Sequence, residues 1–441
     1  MEAVLRGKAL SIFQASLRGA DPKGCVKRHL KVEHGVFSVG DFRKRLKDVD
    51  KIIVVGAGKA AAVMAQATEE VLKDRIDQGV IITKKGPEVS LARIKQYRGG
   101  HPIPDEEGTK GTKRLMETVA QAGEDDLVLC LISGGGSALL VAPCEGISLE
   151  DKKKMTQLLL ECGATIDEIN TIRKHISRVK GGRLAKAAFP AQTVSLILSD
   201  VIGDRIDSIA SGPTASDPTT FEDCFEILHR YNLMERMPEP IKLFLQADKG
   251  KQGTETVKPG DPIFERVVNL IIGSNFLALK EAETKAKALG FNTLLLSAAI
   301  SGDTRKAAEG HALLAQKIRQ GKSTPPPPAC VVSGGETTVV VKGVGKGGRN
   351  QEFVLAAAIQ IGGLKDVIIS SMNTDGIDGP TDACGAMCDG FTVSRAKKMD
   401  LNPEDYLGRN DSYHFFEKLD DLIKTGPTNT NVMDIHILLV G

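Results

Sequence analysis

Two neighbouring stretches of the 441-residue chain carry residue types suited to phosphoryl chemistry. The first, Gly345-Lys346-Gly347-Gly348-Arg349-Asn350-Gln351-Glu352, precedes an apolar, Ala-rich run from Phe353 to Ile361. That run predicts a helix with Arg349 and Asn350 at or just before its N-terminus, where free backbone N–H groups favour an anion. The second is the acidic loop Asn373-Thr374-Asp375-Gly376-Ile377-Asp378-Gly379-Pro380-Thr381-Asp382, directly after the apolar run Val367–Ile369. Carboxylates at a strand's C-terminal end lie where open α/β sheets bind ligands. A guanidinium for phosphate, with Asp375 and Asp378 for a base and a hard cation, suggests phosphoryl transfer. Tight loops with solvated acids explain either stretch alone equally well; the two together favour a site.

Similar signals recur towards the N-terminus. Lys51–Val55 reads as a buried strand running into Gly56-Ala57-Gly58-Lys59-Ala60 and a helix over Ala61–Leu72. Such a turn sets a helix N-terminus against a phosphate, with Lys59 as a point charge. It lacks the outer glycines and Lys-Ser/Thr end of a Walker loop, and Ala61 stands where a dinucleotide fingerprint has its third glycine. A second strand over Leu127–Ile132 ends in Ser133-Gly134-Gly135-Gly136-Ser137, whose consecutive glycines leave backbone N–H groups open to an anion. Arg173 to Arg183 holds five cations in eleven residues, among them Lys180. A solvated face and charge gathered round an anion explain that run equally well. Val194–Leu198 delivers Asp200, a candidate Mg²⁺ ligand or base against the simpler reading of a turn cap. Ser333-Gly334-Gly335-Glu336 echoes the Ser133 loop, with Glu336 as a polar candidate.

These turns demand strands and helices in alternation. The expected fold is α/β with two domains: a Rossmann-like N-terminal domain over 1–248, a polar linker over 249–262, and a second α/β domain over 263–441 restarting with a strand at Val267–Ile272. A further strand is expected at Val339–Lys342, and a first helix over Ala3–Leu17, whose Arg and Lys residues also fit a transit segment.

Composition excludes other classes. The chain has 58 basic and 56 acidic residues, no Trp and 4% aromatic residues, which argues against nucleic-acid and membrane-surface binding and for a small ligand. No apolar window reaches the ~18 residues of a membrane span. The eight Cys are scattered and without metal-ligand spacing, as expected for reduced core thiols in a cytoplasmic protein.

In chain order, Gly56-Ala57-Gly58-Lys59, Ser133-Gly134-Gly135-Gly136-Ser137, Asn170-Thr171-Ile172-Arg173-Lys174-His175, Ser199-Asp200-Val201-Ile202-Gly203-Asp204, Gly334-Gly335-Glu336, Gly347-Gly348-Arg349-Asn350-Gln351-Glu352 and Thr374-Asp375-Gly376-Ile377-Asp378 closely resemble the class II glycerate kinases with a C-terminal MOFRL domain. The resemblance implies a cleft between two α/β domains, and ATP- and Mg²⁺-dependent phosphorylation of D-glycerate at its 2-hydroxyl. Lys59 and Arg349 would neutralise the transferring group, and Asp375 or Asp200 would take the hydroxyl proton while the remaining Asp, with Asp378, holds the metal. Gly56, Gly58, Ser133–Ser137, Arg173, Lys180, Glu336 and Asn350 would line substrate and phosphates. A homodimer is the assembly considered, and a mitochondrial location the alternative to a cytoplasmic one. The rival chemistry is an NAD(P)H-dependent hydroxypyruvate reductase, and the rival class a non-catalytic two-lobed binder of a small anion.

Overall fold

A computed structural model describes residues 2–86, 89–248 and 255–441. The chain forms two units, a central one over Pro22–Ile272 and a terminal one that joins residues up to Asp21 to Gly273–Gly441.

The central unit opens with a small antiparallel sheet, β1 (Leu30–Glu33), β2 (Val36–Val39) and β3 (Phe42–Arg45). Its main sheet holds β4 (Ile52–Ala57), β5 (Gln78–Lys84), β6 (Ile94–Gly99), β7 (Leu127–Ile132), β8 (Gln192–Leu198) and β9 (Val267–Gly273), in the order β6-β5-β4-β7-β8-β9. The pairs from β6 through β8 are all parallel. Parallel strands are covered on both faces, so they read as unbroken apolar runs. In β4, Ile52 and Val54 enter one core with Leu127 and Leu129, while Ile53 and Val55 enter another with Val128 and Cys130. The strand order reverses between β4 and β7, which puts both N-terminal glycine loops at the switch point of a Rossmann-type sheet.

A third core in this unit is helical, built from Met155, Leu159, Ile172, Phe221, Leu228 and Leu245 among others. Ser148 and Thr165 start the helices Leu149–Glu161 and Ile166–His175 with reciprocal capping boxes, each cap being worth about 1 kcal/mol. These two helices carry Lys152 and Arg173.

The terminal unit has a mixed sheet in the order β10 (Asn292–Asp303), β11 (Ala329–Thr338), β15 (Asp434–Val440), β12 (Val367–Asn373), β13 (Gly385–Asp389), β14 (Leu422–Ile423). β15 runs antiparallel to both its neighbours, so it begins where β11 and β12 end. Helix Glu2–Gly19 buries Leu5, Ala9, Ile12 and Phe13 in this unit's core, and Arg6 pairs with Asp389 and Asp421.

Three expectations need correction. The strand at Val267 closes the first sheet instead of opening the second domain, so the chain passes between units after Ile272. Residues 249–254 of the expected linker lie outside the described residues. The remainder is packed into the central unit: Thr256 and Val257 are buried, Val257 exchanges backbone bonds with Gly181 and Asp217, and Glu255 accepts from Phe221 N. The stretch Val339–Lys342 is not a strand; its backbone is held by Asn410, whose side-chain oxygen accepts from Lys342 N and Gly343 N. No described helix is long and apolar enough to cross a membrane.

Candidate active site

In the central unit the two glycine loops lie back to back. Lys59 N donates to Gly134 O at 2.8 Å, and Ala60 N donates to Ser133 Oγ at 3.0 Å. A Cβ on Gly58, which has φ +141°, would fall inside Ser133, so only glycine permits this approach. Gly56 and Ser133 are buried in the contact and shape the two loops.

The stem of Lys59 lies along Gly135, beside the imidazole of His101. Partial burial lowers the His101 pKa, and the nearby Lys59 and Lys84 lower it further, so the ring is neutral at pH 7. The carboxylate of Asp200, after β8, rests on Gly134, where a Cβ would sit 2.0 Å from its Oδ2.

Next to these loops is a cavity of about 960 Å³, lined by His101, Gly135, Ser137, Lys152 and Arg173 among others. A buried polar chain links two of its lining residues: Ser137 Oγ meets Ser211 Oγ at 3.0 Å, Ser211 donates to Asn170 Oδ1, and Arg173 donates to the same oxygen. Lys152 is buried and points at the carbonyls of Arg173 and Ile176. Burial pushes its pKa down to about 7, and the repulsion of Arg173 and Arg183 adds to that. Lys180 is fully buried with its ammonium 3.2 Å from Ala210 O, and burial holds its pKa well below the ordinary range. Among the described residues no carboxylate pairs with Lys152, Arg173 or Lys180. Several uncompensated cations in low dielectric are costly unless an anion joins them. The run from Arg173 is thus largely buried, and the solvated-face reading fails for most of it.

In the terminal unit Arg349 is the first residue of helix Arg349–Gln360. Its Nε donates to Asp434 Oδ2 at 2.5 Å, its Nη2 to Asp434 Oδ1 at 3.1 Å, and its Nη1 to Glu336. Asp434 opens β15 and is fully buried. Burial pushes its carboxyl up to about 7, against the opposing pull of Arg349 and Asn350. With three N–H donors on its two oxygens, the carboxylate form satisfies the geometry. Asn350 is buried and its amide bonds to Asp378, Asp434 and Ser371, so it positions neighbours.

Asp378 also departs from expectation. Both its oxygens cap the same helix: Oδ1 accepts from Asn350 N and Oδ2 from Gln351 N, at 3.1 and 2.9 Å. A carboxylate so engaged is a helix cap, not a presented metal ligand. Asp375 is half-buried, and its Oδ1 accepts from Ile377 N at 2.9 Å. Among the described residues no three His, Cys, Asp or Glu side chains cluster as a metal site.

Asp434 and Lys152 escaped the sequence reading. Asp434 left one signal, a lone acid opening the apolar run Ile435–Val440. Lys152 sits in Asp-Lys-Lys-Lys, which looks like a solvated helix face.

A Rossmann-type sheet with paired glycine loops at its switch point, beside a cavity lined by Lys152 and Arg173, is the framework of a nucleotide-using enzyme. The family models agree with that class: residues 8–246 match the "Domain of unknown function (DUF4147)" model and residues 329–434 match the MOFRL family. The D-glycerate 2-kinase of Thermotoga maritima is 43% identical, over 89% of this chain and 91% of that protein. A crystal structure of a glycerate kinase from Thermotoga maritima superposes with a TM-score of 0.89 at 41% identity, over all of both chains. A relative in Agrobacterium vitis with a provisional name as a hydroxypyruvate reductase is 40% identical, over 98% of this chain and 93% of that one. The chain belongs to the MOFRL-type glycerate kinase family and is an ATP-dependent small-molecule kinase.

Proposed function

We propose that this kinase transfers the γ-phosphoryl group of ATP to the 2-hydroxyl of D-glycerate, forming 2-phosphoglycerate. The observation that carries the reading is the set of cations, Lys152 and Arg173 among them, that have no carboxylate partner among the described residues and lie next to the Lys59 and Gly135 loops. Both substrates are anions, and such a site is electrostatically incomplete without one.

Phosphoryl transfer asks for alignment and for positive charge on the equatorial oxygens of the moving group. Lys59 is the flexible point charge for that task, and Arg349 the fixed one, since Asp434 and Glu336 hold its guanidinium. Asp375 accepts the hydroxyl proton, a task that requires little base strength when the transition state is loose. Magnesium usually takes one or two carboxylates and completes its shell with water and substrate phosphate. Asp200, resting on the phosphate-loop glycine, fits that demand and would hold the ion, which would neutralise charge between phosphate oxygens. The expected reader of the ribose in a reductase is an acid ending the second strand, but β5 ends in Lys84.

The deciding experiment incubates the protein with MgATP and D-glycerate, follows ADP, and identifies the product by phosphorus NMR. Release of ADP with 2-phosphoglycerate supports the proposal, and 3-phosphoglycerate overturns the regiochemistry. Oxidation of NADH or NADPH by hydroxypyruvate without ADP release overturns the substrate reading.

A further inference from the structure

The cavity at Ser137 and Arg173 is far larger than a three-carbon acid requires. Its volume of about 960 Å³ lies near the top of the range for drug-sized ligands, about 300–1,000 Å³. Its lining mixes two chemistries: Gly135, Ser137, Lys152 and Arg173 offer hydrogen-bond donors and positive charge, while Ile103, on the loop after β6, and Leu160, on helix Leu149–Glu161, are apolar. Ile103 is 67% exposed and Leu160 63% exposed, so both offer free apolar surface to a bound molecule. A roomy cavity with cations and apolar side chains in one lining suits a ligand that joins a flat apolar part to a polyanion.

We infer that this cavity seats the purine nucleotide, with the base against Ile103 and Leu160 and the phosphates running past Arg173 and Ser137 towards Gly135 and Lys59. The inference rests on the kinase reading and adds which substrate takes which place. Two carboxylates at the rim, Glu150 and Asp151, do not oppose it. Glu150 pairs with Lys153 at 3.2 Å, and Asp151 is spent on the Ser148 cap. The direction of the nucleotide follows from the sheet: Gly135 and Lys59 stand at the switch point, where a transferable phosphate belongs, and the loop after β6 lies on the same sheet end. With the nucleotide in the cavity, D-glycerate binds outside it.

The test is calorimetric titration of MgADP, and separately of D-glycerate, into the wild-type protein and into Ile103→Asp and Leu160→Asp. Both side chains are exposed, so the variants keep the wild-type circular dichroism and melting temperature. Each variant is expected to weaken MgADP by about tenfold or more through lost apolar contact and a charge set against the base, with glycerate affinity unchanged. Unchanged MgADP affinity in both variants overturns the assignment, as does a loss confined to glycerate. If the wild-type binds MgADP in this manner yet releases no ADP with glycerate, the nucleotide seat stands and the glycerate reading falls.

Discussion

Arg349 in the terminal unit and the cations beside the Ser137 cavity in the central unit are held in opposite ways. In the terminal unit Arg349 is held on three sides, by both oxygens of the buried Asp434 and by Glu336. In the central unit Arg173, Lys152 and Lys180 have carbonyls and an amide oxygen for company and, among the described residues, no carboxylate. A cation with a carboxylate partner is held in a fixed place, so it suits a role that needs orientation. Cations without partners leave a deficit that a ligand fills, so they suit binding. Comparing the two shows that a sequence rich in Arg and Lys is informative only once the acids beside them are counted.

Several substitutions would break or sharpen this contrast. The largest effect is expected from Asp434→Ala, which strips the held arginine of its partner. Removing one member of a buried pair costs about 3–5 kcal/mol, and partial solvent access at Arg349 puts the loss near the lower figure; urea titration reads it. A wild-type midpoint would mean that Glu336 alone holds the guanidinium. Next come Lys59→Ala and Arg349→Ala, each expected to lower kcat by about 10²-fold, as for charges acting mainly in the transition state. Near wild-type kcat with MgATP and glycerate in either variant removes that residue from the chemistry.

A smaller effect tests the unpaired set through pH. Lys152 has its pKa held near 7 by burial, whereas an unfolded Lys titrates at about 10.4. Between those values the unfolded chain binds more protons, so this group makes stability rise with pH across that window. An anion in the cavity reverses the penalty and restores the charged form. MgADP binding at pH 8 should therefore take up a proton, visible as a dependence of calorimetric heat on buffer ionisation enthalpy. Lys152→Met should abolish the uptake, and its persistence would place the proton elsewhere. The smallest change is expected from Asp378→Ala: loss of a helix cap costs about 0.5–2 kcal/mol, with the magnesium dependence of activity unaltered. A raised magnesium requirement would restore Asp378 as a ligand.

Much of the framework was legible from pattern. Leu127–Ile132 is the strand the apolar run predicts, and helix Ala61–Leu72 begins where the Gly58 turn ends. The glycine loops were readable because close approach of two backbones leaves few residue choices. What escaped was pairing at a distance. Nothing near Asp378 marks it as the cap of a helix that begins at Arg349, earlier in the chain, and the isolated carboxylate looks the same as a metal ligand. The domain boundary failed for a related reason: polarity and glycine content suggested a linker, yet Glu255, Thr256 and Val257 are anchored by residues far back in sequence. The cation run could not be resolved because burial of Lys180 and Arg173 depends on helices that pack over them.

The placement of β15 has a consequence for synthesis. The strand of the terminal sheet on which both β11 and β12 hydrogen-bond is translated after both of them. Helix Glu2–Gly19 emerges before the central unit but belongs to that same sheet's core, so it waits through translation of the whole central unit before its partners exist. The central unit is free to fold during that interval. A chain cut before Asp434 would therefore yield an intact Rossmann-type body and a sheet missing its spine.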